Sequence, residues 1–313
     1  MPMFQSFGVL PYGAQNFGAQ NLEAEPFTAF PATQNFFNPP QPSNETPPLD
    51  GGNHPPPSSS SPLQQQQREE REPIVPPSAA SGGIPEPTAA YLARAALPYR
   101  ARRQPQPLLI VLDLNGTLLF RPRRKQPQRF VARPHALDFL RYCLRTFHVV
   151  IWSSARPDNV VAMVASPDLL SPAERASLVA VWARDRFALS RADYARRVQC
   201  YKRLSLLWAD DTVAASHPGH DAAAAAGGAA APVRWDQSNT VLVDDSVEKG
   251  RSEPHNLIQI PEFAGQDEKD DVLPQVHDYI NHLACQEDVS AYIRANPFRL
   301  QAGGWKPQAE ALS

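Results

Sequence analysis

Leu108-Leu-Ile-Val-Leu-Asp113-Leu-Asn115-Gly-Thr117-Leu118 decides how this chain is read. Five consecutive apolar residues, too few for a stable helix, describe a strand buried on both faces, as in the middle of a parallel sheet. Asp113 then stands at the strand's carboxyl end, where an open α/β sheet places its ligand crevice. Gly116 permits a tight turn beyond the strand, and Thr117 can close it with a side-chain hydrogen bond. A carboxylate delivered in this way is suited to attack phosphorus.

Downstream, short apolar strands alternate with helical periods, the signature of a parallel sheet flanked by helices. The pattern predicts strands at Leu108 to Leu112, His148 to Trp152, Thr240 to Val243 and Asn256 to Ile260. It predicts helices at Pro134 to Thr146, Pro172 to Arg184, Asp193 to Trp208 and Leu273 to Ala295. Ser171 with Glu174 three residues on reads as a capping box. Between Asp210 and Pro232, His217-Pro-Gly-His220 and an Ala/Gly tract read as a loop insertion. The two histidines could in principle bind metal.

Upstream the composition is different. No Lys or Arg precedes Arg68, and most of the 34 prolines fall before residue 108. Pro55–Pro57, Ser58–Ser61 and Gln64–Gln67 form uninterrupted tracts. Such sequence cannot bury enough apolar area to offset its ordering entropy, so residues 1–95 are expected to form a disordered arm whose removal leaves stability unchanged. Residues 96–300 would be the folded domain, with the insertion at 210–232 and a tail at 301–313. In the arm, Gly13-Ala-Gln-Asn-Phe17 repeats as Gly18-Ala-Gln-Asn-Leu22, which suggests weak self-association or partner binding.

Other classes are disfavoured. A net charge of −2 and a pI near 6.5 lack the electrostatic footprint of a nucleic-acid binder. Cys143, Cys200 and Cys285 show no metal-binding or disulfide spacing, which points to a reducing compartment. No transmembrane run, signal peptide or transit peptide is evident, so a nuclear or cytoplasmic protein is expected.

Four segments at predicted strand ends, or on the helix that follows, combine into one chemistry: Asp113 to Thr117, Ser153, Lys202, and Asp244-Asp245. Mg²⁺ prefers hard oxygen ligands, which Asp113, the Asn115 backbone carbonyl, Asp244 and Asp245 supply. Ser153 and Lys202 would hold phosphoryl oxygens and stabilise an aspartyl-phosphate. Singly, each has a structural reading, such as a hairpin at Asn115-Gly or a helix cap at Asp244-Asp245. Their occurrence in order favours one site.

With Arg133-Pro134-His-Ala-Leu-Asp138-Phe-Leu140, these motifs resemble the haloacid-dehalogenase superfamily over about Pro107 to Ala295. Within it they resemble the NLI-interacting-factor, or FCP-homology, group. That group includes RNA polymerase II carboxy-terminal-domain phosphatases and a mitochondrial inner-membrane translocase subunit. The resemblance implies an α/β haloacid-dehalogenase-like fold, Asp113 as nucleophile, Ser153 and Lys202 as the second and third motifs, and Asp244/Asp245 as the acidic fourth.

Asn115 departs from the pattern, standing where the family's phosphatases carry the aspartate that protonates the leaving group and activates water. The expected function is a Mg²⁺-dependent phosphoprotein phosphatase impaired by Asn115. The alternative is a binding module for phosphopeptides or presequence-like segments, with a role at the mitochondrial inner membrane. The basic run Arg121 to Arg129 falls where a flap over the site would lie, and could attract an acidic peptide or serve as a nuclear-import signal.

Overall fold

The computed structural model describes residues 73–123, 126–220, 233–266 and 269–307. Within them lies a five-stranded parallel sheet. Its strands, with a small hairpin, are β1 (Leu109–Leu112), β2 (Leu119–Phe120), β3 (Val131–Ala132), β4 (His148–Trp152), β5 (Ala180–Trp182), β6 (Thr240–Asp244) and β7 (Leu257–Gln259). The order across the sheet is β5-β4-β1-β6-β7, and β2 pairs antiparallel with β3.

All four residues of β1 are fully buried, as its apolar run demands of a central strand. Ile110 and Leu112 face a layer containing Phe139, Leu140, Val276 and Ile280. Leu109 and Val111 face Trp152, Trp182, Leu204 and Trp235 on the other side. In register, Leu112 pairs with Ile151 of β4 and with Val243 of β6. Asp113, Trp152-Ser153 and Asp244 therefore leave the sheet side by side at one end.

The helices are α1 (Ala89–Ala95), α2 (Ala136–Thr146), α3 (Pro157–Val164), α4 (Pro172–Ala176), α5 (Arg191–Ala195), α6 (Leu204–Ala209), α7 (Asp211–Ala215), α8 (Val272–Ala284) and α9 (Val289–Ala295). Three predicted helices are corrected. The capping box forms at Ser171, but α4 ends at Ala176 and the chain then enters β5, pairing Val150 with Ala180. Val179 to Trp182 is short, apolar and β-branched, so strand pairing overrides the helical period.

The span Asp193 to Trp208 is broken at Arg196 to Arg203, where the Lys202 N–H donates to the Lys249 carbonyl at 2.7 Å instead of within a helix. The span Leu273 to Ala295 is interrupted before Asp288, whose carboxylate accepts the Ser290 and Ala291 N–H groups and starts α9. Asn256 to Ile260 holds the shorter β7, preceded by a 3-10 turn at Pro254–Asn256.

The arm's boundary also moves. Residues 1–72, which carry the repeats and tracts, lie outside the described residues, but residues 73–95 form a strap folded on the domain. Val75 bridges Val198, and the Gln199 N–H donates to the Val75 carbonyl at 2.9 Å. Ser78 and Ser81 hydroxyls donate to Asp193, and the Arg203 guanidinium donates to the Ser81, Gly82 and Gly83 carbonyls. Thr88 caps α1, which buries Tyr91 and Ala95. Composition reports whether a segment can build its own core; this one docks on another's.

The expected tail behaves similarly, since Trp305 packs edge-on against Tyr279 with centroids 5.0 Å apart. Within the expected insertion, Asp210 caps α7 and His217 packs on Trp235. Its Ala/Gly tract at 221–232 lies outside the described residues. His217 Nδ1 accepts the Gly219 N–H at 3.0 Å, and His217 belongs to no metal-binding group among the described residues. The basic run from Arg121 lies between β2 and β3, as a flap would, with 124–125 outside the described residues. No helix among the described residues is long and apolar enough to cross a membrane.

Candidate active site

Asp113 is buried at the end of β1, its N–H donating to the Val243 carbonyl at 3.1 Å. The Lys202 ammonium, with no exposed surface, spans 2.9 Å to Asp113 Oδ1 and 2.5 Å to Asp244 Oδ2. A second ammonium, Lys249, reaches Asp113 Oδ2 at 2.9 Å, Asp244 Oδ1 at 3.0 Å and Asp245 Oδ1 at 3.2 Å. The Ser246 N–H donates to Asp244 Oδ1 at 2.9 Å.

Three carboxylates thus enclose two ammonium ions. Burial alone would raise the Asp113 carboxyl, but Lys202 and Lys249 outweigh it and hold the group below the usual carboxylate range. Asp245 is pushed up to about 6 by burial and by the charges of Asp113 and Asp244, against the pull of Lys249. Burial opposes the charge on Lys249, yet its three carboxylate neighbours raise it well above the ordinary lysine range.

The turn after β1 is fitted closely to this cluster. Gly116 has φ of +91°, and a Cβ there would lie 2.9 Å from Asp245 Cγ, so a glycine is required on both counts. Thr117, fully buried, donates its hydroxyl to Asp245 Oδ1 at 3.3 Å. Arg133 supports the turn from beneath, donating to the Thr117 and Pro261 carbonyls and pairing with Asp270 at 2.7 Å.

Of the residues singled out in the sequence, Asp113, Lys202, Asp244 and Asp245 come together, with Thr117 touching Asp245. Ser153 is buried at the end of neighbouring β4, its N–H donating to the Trp182 carbonyl and its hydroxyl accepting the Ala155 N–H at 3.4 Å. Asn115 turns its side-chain oxygen toward the flap and accepts the Arg121 N–H at 2.8 Å. Lys249 was missed. Its signal was the spacing of four from Asp245, which sets an i,i+4 pair where the chain turns helically.

The carboxylate oxygens of Asp113, Asp244 and Asp245 lie within 4.8 Å of one another, and hard oxygen donors suit the Mg²⁺ that phosphatases of the haloacid-dehalogenase type typically use. The space between them is filled by the Lys249 ammonium. A divalent ion and that ammonium cannot share one position, so the group as arranged does not accept Mg²⁺.

Comparison with known proteins gives the family. Residues 108–290 match the NLI interacting factor-like phosphatase family. An uncharacterized FCP1 homology domain-containing protein of Schizosaccharomyces pombe is 33% identical over 230 residues, covering 70% of this chain and 87% of that protein. Two solved structures are similar at 14% identity. One is Fcp1, an essential RNA polymerase II CTD phosphatase, with a TM-score of 0.29 over 56% of this chain. The other is fission yeast Fcp1 bound to beryllium fluoride, with a TM-score of 0.28 over the same share. The chain spans about half of each, 49% and 50%. The chain belongs to the NLI interacting factor-like phosphatase family.

Proposed function

We propose that the site takes a phosphorylated protein side chain and transfers its phosphoryl group to Asp113. The observation that carries this is a fully buried carboxylate kept ionised between two ammonium groups at a strand end. Asp113 attacks phosphorus, forming an acyl phosphate, and the P–O bond to the side-chain oxygen breaks. Lys202 and Lys249 offset the charge that gathers on the phosphoryl oxygens. Water then cleaves the acyl phosphate and returns Asp113 with free phosphate.

The leaving alkoxide needs a proton, and Asn115 has none to give. Its amide oxygen is committed to the Arg121 N–H, which makes it part of the flap's hinge. Turnover should therefore be slow on phosphoserine and less impaired on aryl or acyl phosphates, whose leaving groups need no proton. Asp113, Asp244, Asp245 and the Asn115 carbonyl are the donors that Mg²⁺ would meet if Lys249 withdrew. The match of residues 108–290 to a phosphatase family supports this reading over the translocase one.

The test is Asn115→Asp against Asp113→Asn as the inactive reference. General acid-base help is worth about 10²- to 10⁴-fold, so Asn115→Asp should raise phosphoserine-peptide hydrolysis at least about a hundredfold. Activity that stays at the Asp113→Asn background would mean that the site binds without turning over.

A further inference from the structure

Lys249 is fixed by more than its charge. Its backbone carbonyl accepts the Lys202 N–H at 2.7 Å and its own N–H donates to the Ser246 carbonyl at 3.2 Å, so both lysines are registered to each other through the main chain. The turn that carries it, Val247–Gly250, is pressed against β7, where a Cβ on Gly250 would lie 3.0 Å from Leu257. From there the side chain runs inward and keeps only 14% of its surface exposed.

An ammonium has three donors, and each finds a different carboxylate here: Asp113, Asp244 and Asp245. The carboxylates are held at that spacing independently. Asp244 accepts the Ser246 N–H, Asp245 accepts the Thr117 hydroxyl, and Asp113 is gripped by Lys202. Three negative and two positive groups leave a residual charge near −1. Adding a divalent ion with Lys249 in place would crowd a third cation against them.

We propose that the Lys249 ammonium is a tethered cation that holds the place of a divalent ion between Asp113, Asp244 and Asp245, so that Mg²⁺ enters only by displacing it. The inference rests on this geometry and not on turnover, so it stands or falls separately from the phosphatase reading. A free ion in millimolar solution competes with a cation already delivered by its own chain at high effective concentration.

The test is a calorimetric titration of the full chain with MgCl₂, comparing wild type with Lys249→Met. The variant should bind Mg²⁺ at least about tenfold more tightly, equivalent to about 1.4 kcal/mol. Its melting temperature should also rise with MgCl₂ by more than that of wild type. Equal or weaker Mg²⁺ binding by the variant overturns the proposal.

If Lys249→Met does not fold, the wild-type protein answers through acylation of lysines by an amine-reactive ester, read residue by residue in a mass spectrometer. Lys249 should be protected without metal. With MgCl₂ it should either become reactive as the ion binds or remain protected because none binds. Saturable Mg²⁺ binding with Lys249 still protected overturns the proposal. Phosphopeptide hydrolysis, measured separately in EDTA, reports on the phosphatase reading alone.

Discussion

Tyr91 lies on the strap that sequence composition had assigned to the arm, and replacing it by Phe isolates what that strap contributes. Its ring is 6% exposed, and Phe preserves that packing. The lost hydroxyl donates to Asn256 Oδ1 at 2.9 Å and accepts the His255 N–H at 2.8 Å. Asn256 is fully buried, so water does not readily replace the missing partner. An unsatisfied buried group costs about 1–3 kcal/mol, and two groups in a site that partly relaxes give about 2–4 kcal/mol.

For a domain of this size each kcal/mol moves the melting temperature by about 2–4 °C, so Tyr91→Phe should melt roughly 4–16 °C lower. The effect should reach the site, because Asn256 Nδ2 donates to the Gln237 and Thr240 carbonyls at the root of β6, the strand that ends in Asp244. Calorimetric melting of wild type and variant is the assay. A shift below about 1 °C would refute the reasoning and return residues 73–95 to the arm.

Further outcomes follow from other contacts. A chain beginning at residue 96 should melt well below one beginning at residue 73, the difference being the strap alone. Arg133→Met should cost about 3–5 kcal/mol by stranding Asp270, whose side chain is 4% exposed, and Arg133→Met with Asp270→Leu should recover most of it in denaturant titrations. His148 and His217 flank Trp235 with centroids at 5.1 and 4.5 Å, and burial lowers both imidazoles below the usual histidine range. Their neutral forms are therefore favoured by folding. That contribution is complete above about pH 6.5 and is lost as pH falls through the lower folded values, so melting temperature should decline from pH 7 toward pH 5. A His148→Gln, His217→Gln variant should show a flatter profile; an unchanged slope would assign the effect elsewhere.

The central strand and its carboxylate were legible because β1 is buried on both faces, which leaves a continuous apolar run. The edge strand β5 was not. Only Trp182 of its three residues is buried, and the capping box at Ser171 correctly began a helix whose end no Gly or Pro marked. In the site, Asp113, Lys202, Asp244 and Asp245 were read from their positions relative to strands. Lys249 was hidden because its local spacing from Asp244 and Asp245 reads as an ordinary turn, and only the sheet's parallel register brings it to the distant Asp113. Asn115 was read as a lost acid; its side-chain oxygen also accepts the Arg121 N–H, a contact that only the hairpin's geometry creates and that a carboxylate would make equally well.

The strap's anchors set a condition on how the chain acquires its structure. Tyr91 and Asn256 are 165 positions apart. On a ribosome adding roughly 5–20 residues per second, Tyr91 waits on the order of 8–33 s before its partner exists. During that interval α1, only seven residues long, is too short to persist by itself. The strap, early in the sequence, is thus among the last segments of the domain to find its place, and a nascent chain offers it unpaired to whatever binds exposed chain in the meantime.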